Sequence, residues 1–387
     1  MDQHIPPHHA ATPHADTTHN RGYMAVGVWI IATAALGIVL HWGAEILAPF
    51  ALAVFVWLVM EGFAREIRRP VPKLPSWVAH LIAVSVVVIA IVVFIGVLRG
   101  AVLEFAAKSD NYETRINGII THVYAMLGLS DAPKLSTLIF SDTTVRFVQP
   151  ALTTVRGMAS DLVLVLIYVA FLYVSSARYP RKIVQIFPHH DTRSHAVAVL
   201  NEIRHAMEQY LWVQTVLSII TTALTYVTML AVGLDNALFW AFVIFVLNYI
   251  PTIGSIVAAI LPALFAIAQP IWPSWMPTDP LWCALIVFFA VSVWQFAIGN
   301  FMGPRMTGSS LNISALVVLL SLALWGALWG LTGMFLSAPL TVLVMIVLAQ
   351  IPGARWIAIL LSEDGRPDYL APPERGEPEH AEILTGG

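Results

Sequence analysis

Apolar residues fill eight long stretches of the chain, and most charged residues lie between them. The stretches are 24–41, 44–62, 78–98, 159–177, 211–231, 237–268, 281–301 and 313–350. Each is long enough to cross about 30 Å of hydrocarbon as an α-helix. Charge is kept out of such stretches because an ionised side chain at the bilayer centre costs about 3 kcal/mol. The pattern predicts an all-α integral membrane protein with about eight hydrophobic segments.

Two of these stretches are too long for one membrane-spanning helix. The sixth, 237–268, has 32 residues and the eighth, 313–350, has 38, whereas roughly 20 are enough. Glycine and proline interrupt both, at 248–254 and at 330–339. We predict two broken, re-entrant-like helical hairpins, which transporters use to hold polar ligands near the membrane midplane. The alternative is that glycine and proline only let two tilted helices turn tightly.

Basic residues in the short loops predict the orientation, because lysine and arginine prefer the cytoplasmic side. They cluster at 65–73 and within 178–210, which places both segments in the cytoplasm and 99–158 outside. Hairpin 237–268 then enters from the external side, and hairpin 313–350 enters from the cytoplasmic side. Both termini are expected in the cytoplasm.

These features divide the chain into five regions. They are a disordered His/Pro-rich tail (1–22), the first three membrane segments (23–98), an external amphipathic helical region (99–158), a membrane transport core (159–350) and an acidic cytoplasmic tail (351–387). The external region has apolar residues at helical spacing, including Ile116, Ile119 and Ile120. It could meet a neighbouring subunit, gate the external mouth or rest on the membrane, and the sequence leaves these alternatives open.

Composition argues against several functional classes. Hydrophobic residues make up 58% and charged residues 11% of the chain, so a large water-soluble core is not expected. The net charge of −3 gives no sign of a nucleic-acid partner. The sequence has neither the phosphate loop GxxxxGK(S/T) nor the zinc helix HExxH. We therefore expect no enzymatic activity, no cofactor and no metal site, and membrane lipid as a partner.

Arg305 is the one basic residue between His205 and Ala354. It is a candidate gate, or a counter-ion to Glu208, which the predicted topology also places near the cytoplasmic face. The alternative is an orientation marker whose guanidinium reaches the lipid headgroups. Arg204 competes for the same carboxylate, because residues four apart on a helix can pair.

Neutral polar residues and chain breaks gather in the same part of the membrane core. Amide side chains there can coordinate a neutral or cationic solute without bringing net charge. A single amide in a membrane helix also serves to join helices, and this alternative stays open. The candidate substrate pathway consists of Gln214, Asn248, Pro251, Gly254, Gln295, Asn300, Pro304, Arg305, Gly308, Gly333 and Pro339.

Several motifs punctuated by proline and glycine occur in one order in the second half of the chain. They are Asn201-Glu202-Ile203 through Tyr210, Asn248-Tyr249-Ile250-Pro251-Thr252-Ile253-Gly254 with Ala259, Pro262 and Ala263, Gly299-Asn300-Phe301, Pro304-Arg305-Met306-Thr307-Gly308, Trp325-Gly326 to Gly330, Gly333, and Ala338-Pro339-Leu340. In order and spacing, over most of 195–350, they resemble the AI-2E family of transporters. The first half of the chain agrees with that family in its segment layout and charged loops.

The resemblance implies a multi-pass inner-membrane protein of bacteria or archaea that is a homo-oligomer and exports a small solute. The solute would be the quorum-sensing signal autoinducer-2 or a related metabolite. A gradient rather than ATP would drive its transport, because the sequence has no phosphate loop. One alternative is a sodium/proton exchanger of the same family, and another is a membrane organiser without transport. Family members often carry an acidic residue shortly after the position of Gln295, and this chain lacks it.

Overall fold

The computed structural model describes residues 31–71, 73–126, 128, 143–176, 178–307, 312–351 and 353–366. The predicted tail 1–22, the pathway candidate Gly308 and the residues after 366 lie outside this part of the chain. Within it, the structure divides between Leu47 and Ala48. The helices from Ala48 onward hold the candidate site.

The described residues fold almost entirely as α-helices. These are α1 (Ile31–Trp42), α2 (Ala44–Arg68), α3 (Ser76–Ala107), α4 (Ser109–Met126), α5 (Thr143–Ser176), α6 (Tyr179–Ile186), α7 (His190–Val232), α8 (Ala237–Leu247), α9 (Ile253–Ala268), α10 (Pro280–Ala297), a π-helical turn (Ile298–Met302), α11 (Gly303–Thr307), α12 (Ala315–Ala349) and α13 (Arg355–Leu361). Six helices in this part of the chain are long and apolar enough to span a membrane, and α1, α8 and α9 are shorter apolar helices. The prediction of an all-α membrane protein is confirmed.

The helix bounds differ from the predicted limits of the region 99–158. Helix α3 continues as far as Ala107, and α5 runs without interruption from Thr143 to Ser176. Apart from turns at Lys108 and Gly128, the described residues of the region are helical. Its position outside the membrane stays a prediction.

The stretch 237–268 forms the first hairpin, because α8 ends at Leu247 and α9 begins only at Ile253. Helix α8 has 11 residues and is therefore about 16 Å long, half the thickness of the hydrocarbon. At the break, Thr252 has a φ of 59°. A β-branched residue rarely adopts a positive φ outside a turn.

Buried Gln269 joins the two ends of the first hairpin. Its Nε2 donates to the carbonyls of Gly233 and Ile271, both at 2.8 Å, and its Oε1 accepts from the backbone N–H of Asp235 at 2.8 Å. The segment before α8 therefore meets the segment after α9. The chain enters and leaves this hairpin at the same end, as predicted.

The stretch 313–350 also folds back on itself, within α12. Trp329 (φ −128°, ψ 15°) and Gly330 (φ 60°, ψ −139°) leave the helical conformation. The indole Nε1 of Trp325 donates to Oγ1 of Thr341 at 3.2 Å, although 16 residues separate them. In a straight helix these residues would be about 24 Å apart. The second hairpin is thus confirmed, with its turn at the very start of the predicted break and with Pro339 inside the second limb.

The largest buried cluster packs the second hairpin against α2 and α7. It includes Phe55 and Leu58 of α2, Leu211 of α7, and Val342 and Met345 of α12. Large apolar side chains elsewhere on the helices, such as those of α3, are exposed, which suits surfaces that face lipid. The packing brings the tips of both hairpins toward the middle of α7.

Candidate functional site

Three amide side chains meet at the break of the first hairpin. Gln214 of α7 donates from Nε2 to the backbone carbonyl of Asn248 at 2.6 Å. Gln295 of α10 donates from Nε2 to Oδ1 of the same asparagine at 3.0 Å. The sequence marked each of these residues separately as a pathway candidate, and the fold brings them together. We call this group the amide cluster.

The chain break explains why the amide cluster forms at Asn248. Its N–H still completes the last turn of α8 by donating to Ile244. Its carbonyl would need a helical N–H four residues later, but the chain turns at Pro251 and Thr252. Carbonyls at a helix end need a partner from outside the helix, and Gln214 provides one.

A hydroxyl pair lies beside the amide cluster. The Thr215 hydroxyl donates to the Leu211 carbonyl at 2.6 Å and lies 2.8 Å from the Tyr249 hydroxyl. Because the threonine proton is used by Leu211, the tyrosine is the donor in this pair. The Tyr249 ring stacks on Phe335 of the second hairpin at a centroid distance of 4.8 Å. The tips of the two hairpins therefore touch through an aromatic contact that the sequence did not predict.

Gly254 and Gly333 let the two limbs of each hairpin approach closely. A Cβ added to Gly254 would collide with the carbonyl oxygen of Leu247 and would lie 2.8 Å from its carbon. A Cβ added to Gly333 would collide in the same way with the Trp325 carbonyl, at 2.6 Å from the carbon. At both candidates the backbones approach so closely that only glycine fits.

Other pathway candidates lie apart from the amide cluster. Asn300 is exposed and donates to the carbonyl of Phe296 on its own helix at 2.9 Å. Pro304 and Arg305 are exposed on α11. Residue type alone therefore did not separate the clustered amides from Asn300.

The suggested ion pair between Glu208 and Arg305 is corrected by the structure. The carboxylate of Glu208 accepts from Arg204 Nε at 2.7 Å and from the two terminal nitrogens of Arg65 at 2.7 and 3.2 Å. The alternative partner Arg204 is thus confirmed. Arg65 was not anticipated, because it lies 143 residues earlier in the chain.

These pairs extend into a network that joins α2, α3 and α7. A terminal nitrogen of Arg204 lies 3.1 Å from Oε1 of Glu61, and Nε2 of His80 lies 3.0 Å from Oε2 of the same carboxylate. A cavity of about 320 Å³ is lined by Glu61, Ala64, Arg65, Arg68, Arg69 and His80. We call Glu61, Arg65, His80, Arg204 and Glu208 the ionic network.

A second polar cluster ties the junction of α3 and α4 to the start of the first hairpin. Lys108 Nζ lies 2.8 Å from Glu104 and 3.2 Å from Asp235, and the Tyr112 hydroxyl donates to Asp235 at 3.2 Å. Tyr112 is buried and stacks on Phe105 at 5.2 Å. Burial, and then the Asp235 charge, raises the pKa of Tyr112, so its phenol stays a donor. The predicted external region is therefore fixed to the segment that enters α8.

Lys108 should make this connection sensitive to high pH. Its hydrogen bond to Glu104, followed by the contacts with Asp235, raises the pKa of Lys108 against the opposing effect of burial. A group whose pKa is raised by folding stabilises the folded state. This stabilisation is complete below the pKa of the unfolded chain, about 10.4, and is lost as the pH rises through the pKa of the folded protein. We expect Lys108→Gln to lower the stability by up to about 1 kcal/mol at neutral pH.

Thermal unfolding of wild type and Lys108→Gln at increasing pH measures this effect. The difference between them should shrink above about pH 10. Lys182→Gln is the control, because Lys182 is exposed on α6 and should show no such change. A difference that persists at high pH would contradict the role given to the Lys108 charge.

Comparison with known proteins decides the family. The model of the AI-2E family transporter matches residues 30–353. The chain belongs to the AI-2E transporter family. The AI-2 transport protein TqsA of Escherichia coli (strain K12) is 30% identical over 331 residues, which cover 84% of this chain and 91% of TqsA. The resemblance inferred from the motifs is thereby confirmed.

Further relatives extend over nearly the whole chain. The putative transport protein YhhT of Escherichia coli (strain K12) is 28% identical over 370 residues, covering 93% of this chain and 99% of YhhT. A putative transport protein of Haemophilus influenzae is 27% identical over 332 residues, covering 83% of this chain and 91% of the relative. The protein is a multi-pass membrane transporter by family, and the hairpins and the amide cluster lie within the matched residues.

Proposed function

We propose that this protein exports a small neutral, hydroxyl-bearing solute and that the amide cluster binds it. The observation that carries the proposal is the meeting of Gln214, Asn248 and Gln295 at the break of a hairpin. Broken helices in transporters leave polar backbone groups at the depth where solutes are held. A gradient, rather than ATP, supplies the energy in this proposal.

The chemistry of the cluster favours a neutral solute. Amides and hydroxyls both donate and accept hydrogen bonds, and those of the cluster and of Thr215 and Tyr249 bring no net charge. A polyhydroxylated molecule can replace the bonds that these groups make with one another. The aromatic faces of Tyr249, Phe335 and Phe55, whose centroids lie 4.8 to 6.0 Å apart, suit its carbon skeleton.

The contact between the hairpin tips suggests how transport proceeds. Tyr249 belongs to the first hairpin and Phe335 to the second, so a displacement of either hairpin separates their rings and opens the space beside Asn248. The predicted opposite entry of the two hairpins would let each open toward one side of the membrane. The proposal includes a homo-oligomer, as the family resemblance implies, and cytoplasmic termini, as the charged loops predict.

The relative TqsA is described as an AI-2 transport protein, which makes autoinducer-2 the first solute to test. We would measure its efflux from vesicles that contain the purified full-length protein. We expect Asn248→Leu and Gln295→Leu each to slow efflux roughly tenfold. Each removes hydrogen-bonding groups from the proposed binding site and leaves a half-buried amide unpaired, and such losses cost about 1–3 kcal/mol.

Asn300→Leu is the matched control, since Asn300 is an exposed amide on the neighbouring helical turn. It should leave efflux near the wild-type rate. An equal loss in all three variants would contradict a specific role for the amide cluster.

Sodium-dependent proton movement, measured in the same vesicles, tests the exchanger alternative. Correctly inserted wild-type protein without any flux would favour the membrane organiser.

A further inference from the structure

The ring nitrogens of His80 both face groups that only accept hydrogen bonds. Nδ1 lies 2.6 Å from the backbone carbonyl oxygen of Ser76, and Nε2 lies 3.0 Å from Oε2 of Glu61. A neutral imidazole carries one N–H and can serve one of these acceptors. To serve both, the ring must carry two protons, or the Glu61 carboxyl must carry one. The two contacts of His80 therefore require one additional proton, which either His80 or Glu61 can hold.

We propose that His80 and Glu61 form a proton-binding site that controls the opening of the solute pathway. The proposal rests on the transport function proposed above and adds the ligand that regulates it. With the proton bound, the pathway is closed at the end of α7 that the charge pattern assigns to the cytoplasm. Release of the proton opens it.

The charges that face His80 come from several packed helices. Helix α2 presents Glu61 together with Arg65, Arg68 and Arg69, which line the shared cavity. Helix α7 presents Arg204 and Glu208 behind Glu61. The Tyr173 ring of α5 and the imidazole lie edge-to-face at a centroid distance of 5.3 Å. The side chains of His80 and Glu61 are 18% and 24% exposed. Protons can reach the site through the cavity while the pair stays shielded.

Glu61 transmits the change of charge to the solute pathway. One of its oxygens contacts His80 of α3 and the other contacts Arg204 of α7. Arg204 precedes Gln214 by ten residues on the same helix, a distance of about 15 Å. The proton that leaves in this proposal is the one on Nε2, while Nδ1–H keeps its bond to the Ser76 carbonyl. A lone pair of the imidazole then faces the carboxylate, and the contact is lost. Helix α3 then separates from α2 and α7, and α7 is free to move with the amide cluster.

Histidine suits this task because its charge changes between about pH 5 and 8. We would first follow proton binding without any solute, by NMR of full-length protein with labelled histidine in lipid nanodiscs. The signal of His80 is the one lost in His80→Gln. In Glu61→Gln we expect the ring-nitrogen signals of His80 to change, because an amide can donate to a neutral imidazole, whereas a carboxylate only accepts. The exposed His205, changed in His205→Gln, serves as the control. Ring-nitrogen signals of His80 that stay unchanged in Glu61→Gln would overturn the site.

The second measurement is autoinducer-2 efflux as a function of pH. Wild-type efflux should rise several-fold as the pH increases from about 5 to 8. His80→Gln should keep a measurable efflux with a flat pH profile, while His205→Gln should keep the wild-type profile. A wild-type profile in His80→Gln would overturn the control of the pathway by this site. Absence of efflux in the wild type would instead contradict the proposed function, and the NMR comparison would still decide on the proton site.

Discussion

Replacing Gly254 by alanine is expected to destabilise the first hairpin and to abolish transport. The added methyl group would collide with the carbonyl oxygen of Leu247, and a backbone group cannot turn aside as a flexible side chain can. Overpacking of this kind costs about 1–3 kcal/mol and sometimes more. Gly333→Ala should have a similar effect through the carbonyl of Trp325. Thermal unfolding and autoinducer-2 efflux of the two variants measure the result.

Gly96→Ala provides the control for both substitutions. Gly96 lies inside α3, and a Cβ there meets nothing within 4 Å. Alanine favours a helix over glycine by up to about 1 kcal/mol, so this variant should be as stable as the wild type or more stable. Wild-type stability and efflux in Gly254→Ala would show that the hairpin tolerates a wider separation, and would contradict the close approach.

Glu208→Ala is expected to have the second large effect, on stability. The side chain of Glu208 is 7% exposed, while Arg65 and Arg204 are 50% and 41% exposed. Its loss leaves two guanidinium groups near each other without a shared counter-ion. Breaking a buried pair costs about 3–5 kcal/mol, and the exposure of the arginines should reduce this to roughly 2–3 kcal/mol.

Thermal unfolding of Glu208→Ala, compared with Glu66→Ala, measures this cost. Glu66 pairs with Arg69 at 2.8 Å, but its side chain is 38% exposed and that of Arg69 is 71% exposed. Exposed pairs contribute about 0–1 kcal/mol, so the control variant should stay close to the wild type. An equal loss of stability in both variants would show that the burial of Glu208 does not strengthen its ion pairs.

The two hairpins show which features of the fold the sequence pattern predicts. The length of each apolar stretch and its glycine and proline residues predicted a chain that folds back, and hydrogen bonds at Gln269 and Trp325 confirm it. The second turn lies at Trp329 and Gly330, whereas the predicted break extended to Pro339, which lies inside a helix. A proline can stay inside a membrane helix when neighbouring groups satisfy the carbonyl that it leaves without a partner. Gly330 ends the helix instead, because its φ is positive.

The candidate site needed information that residue types do not carry. Four amides were marked on equal grounds, but Gln214, Asn248 and Gln295 converge, whereas Asn300 bonds to its own helix. Which side of a helix faces a partner depends on how the helices pack. The large separations along the chain, 34 and 47 residues for the two contacts of Asn248, cannot be inferred from local spacing.

The sequence by itself determined the all-helical membrane class, the two broken hairpins and the family, because hydrophobic length, chain breaks and motif order are local properties of the chain. Only the tertiary structure decided that the hairpin tips touch at Tyr249 and Phe335, and that Glu208 pairs with Arg65. These contacts join residues far apart in the chain. Their partners are chosen by the packing of whole helices, which minimises unpaired polar groups in a medium without water.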